Sequence, residues 1–468
     1  MEWPGTAVVT KGLKGPHRKR DIKRHFMRTL PLMACLLGCS QASGAEAAED
    51  QDKMVGCFWN VQGGFPKLKS TNVDTSLCSH IIYGHGTLDT MDWALTHGNK
   101  TLDLELGGFR NVSRMKHEQA GLRVELGVEA GGREASGLGF KTSQALIQMA
   151  ADQAKRKSFV NSSVAFLTQH RLDGLHLHWG SSAQKVINFT QKGESWMDLP
   201  TLLRELKKAF RPANLSLSLS LWSPLNYVID DHYDIPELYK HVDLVFVQFF
   251  AYHGPWERIT GAFSPLKDTV SQVNDYKYYT VDFSWTYMKK RGAVPCKTVF
   301  KIAFKGAEFA LKDRIENTED SSVPGQGLRT VSGGGNPTYH QICKEAREEG
   351  WRQEWDEERR VPYMWRGRRW ISYEDRRSVL DKVDYANREG MAGVAVNDLW
   401  WDDVLGECYN TGYPAEPYHP TNISYPLLRT IYHRQGGRCG AVSQAIIGAG
   451  QEGTGTWLTL ALVLFAKI

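Results

Sequence analysis

Leu172-Asp173-Gly174-Leu175-His176-Leu177-His178-Trp179-Gly180 is the stretch whose pattern decides the fold. Leucine alternates with histidine, and successive side chains of a strand point to opposite faces. His176 and His178 therefore share one face, and Leu175 and Leu177 the other. Leu215–Leu221 (LSLSLSL) repeats the alternation with serine as the polar member. In a small barrel one face of a strand points inward and the other toward surrounding helices. Two histidines inside such a barrel need partners, because burying a polar group without a hydrogen bond is costly.

Working outward, eight short apolar runs emerge: Met54–Val61, His80–Tyr83, Arg123–Val128, Leu172–Trp179, Asn214–Trp222, Val242–Phe250, Thr298–Phe304 and Ala392–Val396. Several are apolar nearly throughout, as parallel strands covered on both faces are. Helical spacing fills intervals between them. Thr142–His170 carries Ala145, Leu146, Met149, Ala150 and Ala154, then Phe159, Val160, Val164 and Leu167; Trp196–Phe210 carries Leu199, Leu202, Leu203, Leu206 and Phe210. Eightfold strand–helix alternation predicts an α/β fold, a (β/α)8 TIM barrel. The long interval between Thr298 and Ala392 has room for an inserted subdomain at 305–369. That insertion holds Trp351, Trp355, Trp365 and Trp370 amid the charged runs Glu354–Arg360 and Arg366–Arg369. It reads either as a salt-bridged face with aromatic anchors or as a groove wall offering stacking platforms.

Of the 468 residues, 41% are hydrophobic and 23% charged, which excludes a disordered or fibrous chain. The formal net charge of +5 sits in the first 44 residues; the remainder carries 49 basic and 50 acidic side chains. So balanced a body gives no ground for nucleic-acid binding, which depends on neutralising phosphates.

The ends read as processing signals. Basic residues, the apolar run Leu30–Gly38 and then small residues make 1–44 a signal peptide, with Met27 a candidate start. Residues 440–468 end in Trp457–Ala466 behind a polar spacer, the outline of a glycolipid-anchor signal that would place the protein at the cell surface. Six sequons (Asn99, Asn111, Asn161, Asn188, Asn214 and Asn422) fit a glycosylated, secreted protein. Beyond the leader six cysteines remain, Cys57, Cys78, Cys296, Cys343, Cys408 and Cys439, an even number that reads as three disulfides.

Asp173–Gly180 resembles the fourth-strand motif of glycoside hydrolase family 18, the chitinases, whose pattern reads D-G-x-D-x-D-W-E. Asp173, Gly174 and Trp179 match it; His176 and His178 stand at the second and third Asp, and Gly180 at the terminal Glu. The resemblance extends over residues 54–435, which it implies form the TIM barrel, through Val55–Trp59, Leu77–Tyr83, Gly131-Gly132, Gln248–Trp256, Thr260–Leu266, Ile371–Asp375 and Asp402-Asp403 with Gly406 and Cys408. It implies an α+β insertion and disulfides Cys57–Cys78 and Cys343–Cys408, leaving Cys296 with Cys439.

The family's chemistry is substrate-assisted. A carboxylic acid protonates the glycosidic oxygen, the substrate's N-acetyl group attacks the anomeric carbon, and Asp and Tyr side chains hold the resulting cation. Gly180 has no proton to donate, and an imidazolium at His178 would repel the developing positive charge. By the same alignment the family's Tyr is Phe250, its Asp is Ala251, and its subsite-floor Trp is Asn397.

Three functions follow. The first is a catalytically inactive chitinase-like protein binding chitin or another N-acetylglucosamine glycan, or acting on an extracellular protein partner as a signalling or matrix factor, with no cofactor. Phe58, Trp59, Trp179, Phe250, Tyr252, Trp256 and Asn397 are its candidate glycan contacts. The second is a metal-dependent hydrolase using His176 and His178, with a third ligand from His80, His85, Asp243, His253 or Asp398. The third is an active family-18 glycosidase with a displaced acid such as Asp398.

Overall fold

The computed structural model describes residues 53–61, 74–130, 138–179, 195–222, 233–268, 278–313, 328–408 and 424–436. The leader, the C-terminal tail, Gly131-Gly132, Gly180, Asn188, Asn422 and Cys439 lie outside them. Among the described residues no helix is long and apolar enough to cross a membrane.

All eight expected strands form. They are β1 (Met54–Asn60), β2 (His80–Asp89), β3 (Arg123–Ala130), β4 (Gly174–Trp179), β5 (Ser216–Trp222), β6 (Leu244–Gln248), β7 (Thr298–Ile302) and β8 (Gly393–Val396). Each pairs in parallel with the next, and β1 pairs with both β8 and β2, so the sheet closes into a (β/α)8 barrel. The register sets His176 beside Ser218 and His178 beside Ser220. The alternation then sorts the side chains. Leu175, Leu177, Leu217, Leu219 and Leu221 face outward and share one core with Leu199, Leu202, Leu203, Leu206 and Phe210 of the helix Ser195–Phe210. Burying a leucine contributes about 1.5–3 kcal/mol, so this two-layer interface holds the strands at their tilt.

The expected helix over 142–170 is two helices, Leu138–Ala151 and Gln153–Gln169. Asp152 divides them: its backbone is extended, and its carboxylate accepts hydrogen bonds from the backbone N–H of Ala154 (2.8 Å) and Lys155 (3.0 Å). An N-cap of this kind satisfies donors that the start of a helix leaves free.

Asp173 and Gly174 open β4 at the end of the barrel away from the mouth. The Asp173 carboxylate accepts from the Val124 N–H (2.7 Å) and pairs with Lys116 (2.7 Å). A Cβ on Gly174 would run into the Ser216 hydroxyl and carbonyl oxygen. Gly174→Ala is therefore expected to destabilise by about 1–3 kcal/mol through overpacking, read as a lower urea midpoint; an unchanged midpoint would contradict this packing.

Between β7 and β8 the chain builds an antiparallel five-stranded sheet in the order Thr330–Gly335, Ala307–Leu311, Arg369–Ser372, Val361–Arg366, Arg352–Asp356, with the helix Tyr339–Glu345. Trp365 and Trp370 are buried with Phe309 and Tyr363, and Trp351 with Met364 and Ile371. Trp355 is half-buried, with the guanidinium of Arg377 4.0 Å and that of Arg360 5.2 Å from its ring. Arg359 pairs with Asp356 (2.9 Å), Arg360 with Glu357 (2.7 Å) and Arg366 with Glu348 (2.8 Å). This is the salt-bridged face with aromatic anchors; tryptophans so enclosed offer no stacking platform.

Cys57 is bonded to Cys78 and Cys343 to Cys408. Cys296 is also in a disulfide. Of the sequon asparagines, Asn161 and Asn214 are exposed and Asn99 and Asn111 half-buried.

Candidate functional site

The barrel interior holds two kinds of side chain. Met54, Phe58, Ile82, Phe246, Val299, Ala392 and Ala395 form an apolar cluster. Against it lies a polar chain from β7, β5, β4 and β3. Lys301 Nζ donates to Ser220 Oγ (3.4 Å), and His176 meets Ser220 Oγ through Nε2 (2.8 Å) and Ser218 Oγ through Nδ1 (2.7 Å). Ser218 and Ser216 (2.6 Å) then donate to Glu125.

Donor roles follow from the ends of the chain. Glu125 can only accept, so Ser218 gives it a proton and accepts the Nδ1–H of His176; Ser220 accepts from Lys301 and donates to Nε2. His176 is thereby fixed as the neutral Nδ1–H tautomer, consistent with burial and the nearby Lys301 charge driving its pKa well below 6.5. Burial pushes the Glu125 carboxyl up, but His80, 3.5 Å away, with Ser216 and Ser218 outweighs it and holds the carboxyl below its usual range. The LSLSLSL repeat is thus the polar lining of the barrel.

At the C-terminal ends of the strands lies the mouth. His178 is half-buried, hydrogen-bonded to Gln248, and held neutral by burial and Lys301. His85 stands 3.4 Å from Glu129 and is pushed down to about 4 by burial and Lys301. Lys301 itself is completely buried, its Nζ 3.7 Å from the centre of the Phe58 ring. Burial lowers its pKa to about 7, with Glu129 and Asp398 acting in the opposite sense. Lys305 lies over the half-buried Trp401, Nζ 3.7 Å from the ring centre, and burial lowers it too. Asp398 is pushed up to about 7 by burial, and its oxygens accept from the Asn60 N–H (3.2 Å) and the Trp400 N–H (3.4 Å).

The sequence candidates distribute unevenly. Trp179 and Trp59 share the outward parity of Leu175 and Cys57 and are buried in the outer core, Trp59 edge-on to Tyr83 and Trp400. Phe58 points inward and forms part of the barrel floor. Phe250 is buried against Phe263, and Tyr252 donates to Ser284 Oγ (3.0 Å). Trp256 is 57% exposed, and Asn397 is half-buried just beyond β8. Enclosed rings offer no face to a sugar, which leaves Trp256 and Asn397 as the contacts of that set open to solvent.

The metal-site ligands do not converge. Serine hydroxyls occupy both ring nitrogens of His176. Asp243 pairs with Lys207, and His253 lies 3.0 Å from Glu257. Among the described residues, His340, Asp403 and Cys408 bring ligand atoms within 4.8 Å of one another, but Cys408 is in a disulfide. His178 is neutral, because burial and the Lys301 charge hold its pKa well below 6.5. Sequence reasoning missed Lys301, Lys305, Glu129, Gln248 and Trp401. Lys301 had a signal: a lone charge in the apolar run TVFKI, two residues from inward-facing Val299.

The model of the glycosyl hydrolases of family 18 matches residues 54–402. Probable chitinase 10 of Drosophila melanogaster is 28% identical over 370 residues, 75% of this chain and 15% of that protein. Endochitinase of Manduca sexta is 27% identical over 371 residues, 76% of this chain and 64% of that protein. This chain therefore spans less than two thirds of either relative. Among solved structures, human YKL-39, described as a pseudo-chitinase with retained chitooligosaccharide binding, is 23% identical with a TM-score of 0.67, covering 82% of this chain and 100% of that one. The barrel, its insertion and the match across 54–402 place this chain in glycosyl hydrolase family 18.

Proposed function

We propose that the chain is a secreted chitinase-like protein that holds an N-acetylglucosamine-containing glycan at the barrel mouth without cleaving it. One observation carries this reading: inward-facing β4 presents the neutral imidazoles of His176 and His178 where the family motif has carboxylates, and residue 180 is glycine. A neutral imidazole bound to serine or glutamine neither protonates a leaving group nor stabilises a cation as a carboxylate does. The pseudo-chitinase YKL-39, which retains chitooligosaccharide binding, supports binding without turnover on this fold. Leader, sequons and disulfides support export, the C-terminal tail a glycolipid anchor, and an extracellular protein partner is the counterpart if glycans do not bind.

Asp398 favours a second reading, a displaced proton donor, because its pKa of about 7 suits a general acid. Its oxygens are engaged by backbone N–H groups of Asn60 and Trp400, which makes it a cap.

Immobilised chitin tests binding. Purified protein is expected to be retained and to elute with soluble chitooligosaccharide; passage in the void volume would overturn chitin as the ligand.

A further inference from the structure

The mouth carries two ammonium groups that the family chemistry does not use. Lys301 is buried, and among the described residues it makes a single long hydrogen bond, to Ser220 at 3.4 Å, although an ammonium has three donors. Lys305 is half-buried with its Nζ over an indole. Among the described residues, neither is ion-paired to a carboxylate. The two acids that act on Lys301 are committed elsewhere: Glu129 lies against His85 (3.4 Å), and Asp398 caps the turn at Leu399–Trp401 and accepts from Asn60. Glu129 and Asp398 act on Lys301 without a direct ion pair, and a buried ammonium with so little in place of its water is costly. The layer around it is polar and partly open: His178 and Gln248 are half-buried, and the side chains of His85 and Glu129 are 29% and 27% exposed.

We propose that the mouth selects a glycan bearing an anionic group, a carboxylate or a sulfate on an N-acetylglucosamine-type chain, and that half-buried Lys305 receives that group while the fully buried Lys301 contributes its charge from beneath. This rests on the glycan-binding reading and sharpens it. Neutral chitin would leave Lys305 without a charged partner, whereas an anion gives it a charge-assisted hydrogen bond and lies in the field of Lys301. Arrangements of this kind discriminate by leaving a charged partner unsatisfied when the wrong ligand binds.

The test is calorimetric titration of the full chain, its Lys301→Met variant and its Lys305→Gln variant with three probes. These are chitotetraose, 6-O-sulfated chitotetraose, and a tetrasaccharide alternating glucuronate with N-acetylglucosamine. The native chain is expected to bind one acidic probe at least about tenfold more tightly than chitotetraose, the scale of one added charge-assisted bond. In both variants that ratio is expected to fall toward one. The two acidic arms show which anion fits. Equal affinity for neutral and acidic probes would overturn the inference alone, as would a preference surviving both substitutions. Failure of all three probes to bind would remove the glycan reading and this inference with it.

Discussion

A fluorogenic chitobioside incubated with the purified protein is expected to release no fluorophore above a heat-denatured control. Family-18 hydrolysis needs a proton at the glycosidic oxygen and negative charge beneath the anomeric carbon as the N-acetyl group attacks. The chain supplies glycine at position 180 and neutral imidazoles at 176 and 178. Positioned proton transfer alone contributes about 10²–10⁴-fold, and fixed electrostatic stabilisation is usually larger still. The losses also act together, because the family's Tyr and Asp correspond to Phe250 and Ala251. Gly180→Glu alone is therefore expected to leave the rate at background. Release by the unmodified protein that disappears in Asp398→Asn would move the assignment to a displaced-donor glycosidase.

Lys301→Met is expected to stabilise the fold by about 1–4 kcal/mol at pH 7, the range seen when buried ionic groups give way to apolar ones. Methionine can pack where the stem lies against Phe58. The sign of the pH dependence follows from the lowered pKa, about 7 in the folded protein against 10.5. Between those values the unfolded chain holds the proton and the folded protein does not, so stability contributed by this site rises with pH. The penalty is full below pH 7 and relieved as pH approaches 10.5. The gain from Lys301→Met should therefore shrink between pH 7 and pH 10, measured as the difference in urea midpoint. A variant less stable at pH 7 would show that Lys301 is adequately paired in the native barrel. A lysine held at such a cost is what a binding role would explain, since functional sites often retain locally destabilising groups.

Much of the fold was legible because its signals are local. Eight apolar runs separated by helical spacing allow few architectures, and the Ser–Leu alternation of β5 fixes which side is lined with hydroxyls. The break at Asp152 was less visible: apolar spacing continues across it, and one carboxylate capping the next helix decides the boundary. The site was legible by position rather than by role. The strand of His176 and His178 does line the barrel, but their charge state depends on burial beside Lys301, which lies 125 residues further on from His176 and reaches the same space only when the barrel closes. The aromatic candidates were overcounted for want of parity: Trp179 lies two residues beyond Leu177, whose face was already assigned to the helices.

The most direct test incubates the protein with chitopentaose, quantifies binding by calorimetry, and then analyses the oligosaccharide from the same cell by mass spectrometry. Saturable binding with the pentamer recovered intact is the expected result. Dimer and trimer accumulating in that cell would contradict the assignment of a barrel that holds the sugar but has no acid with which to cut it.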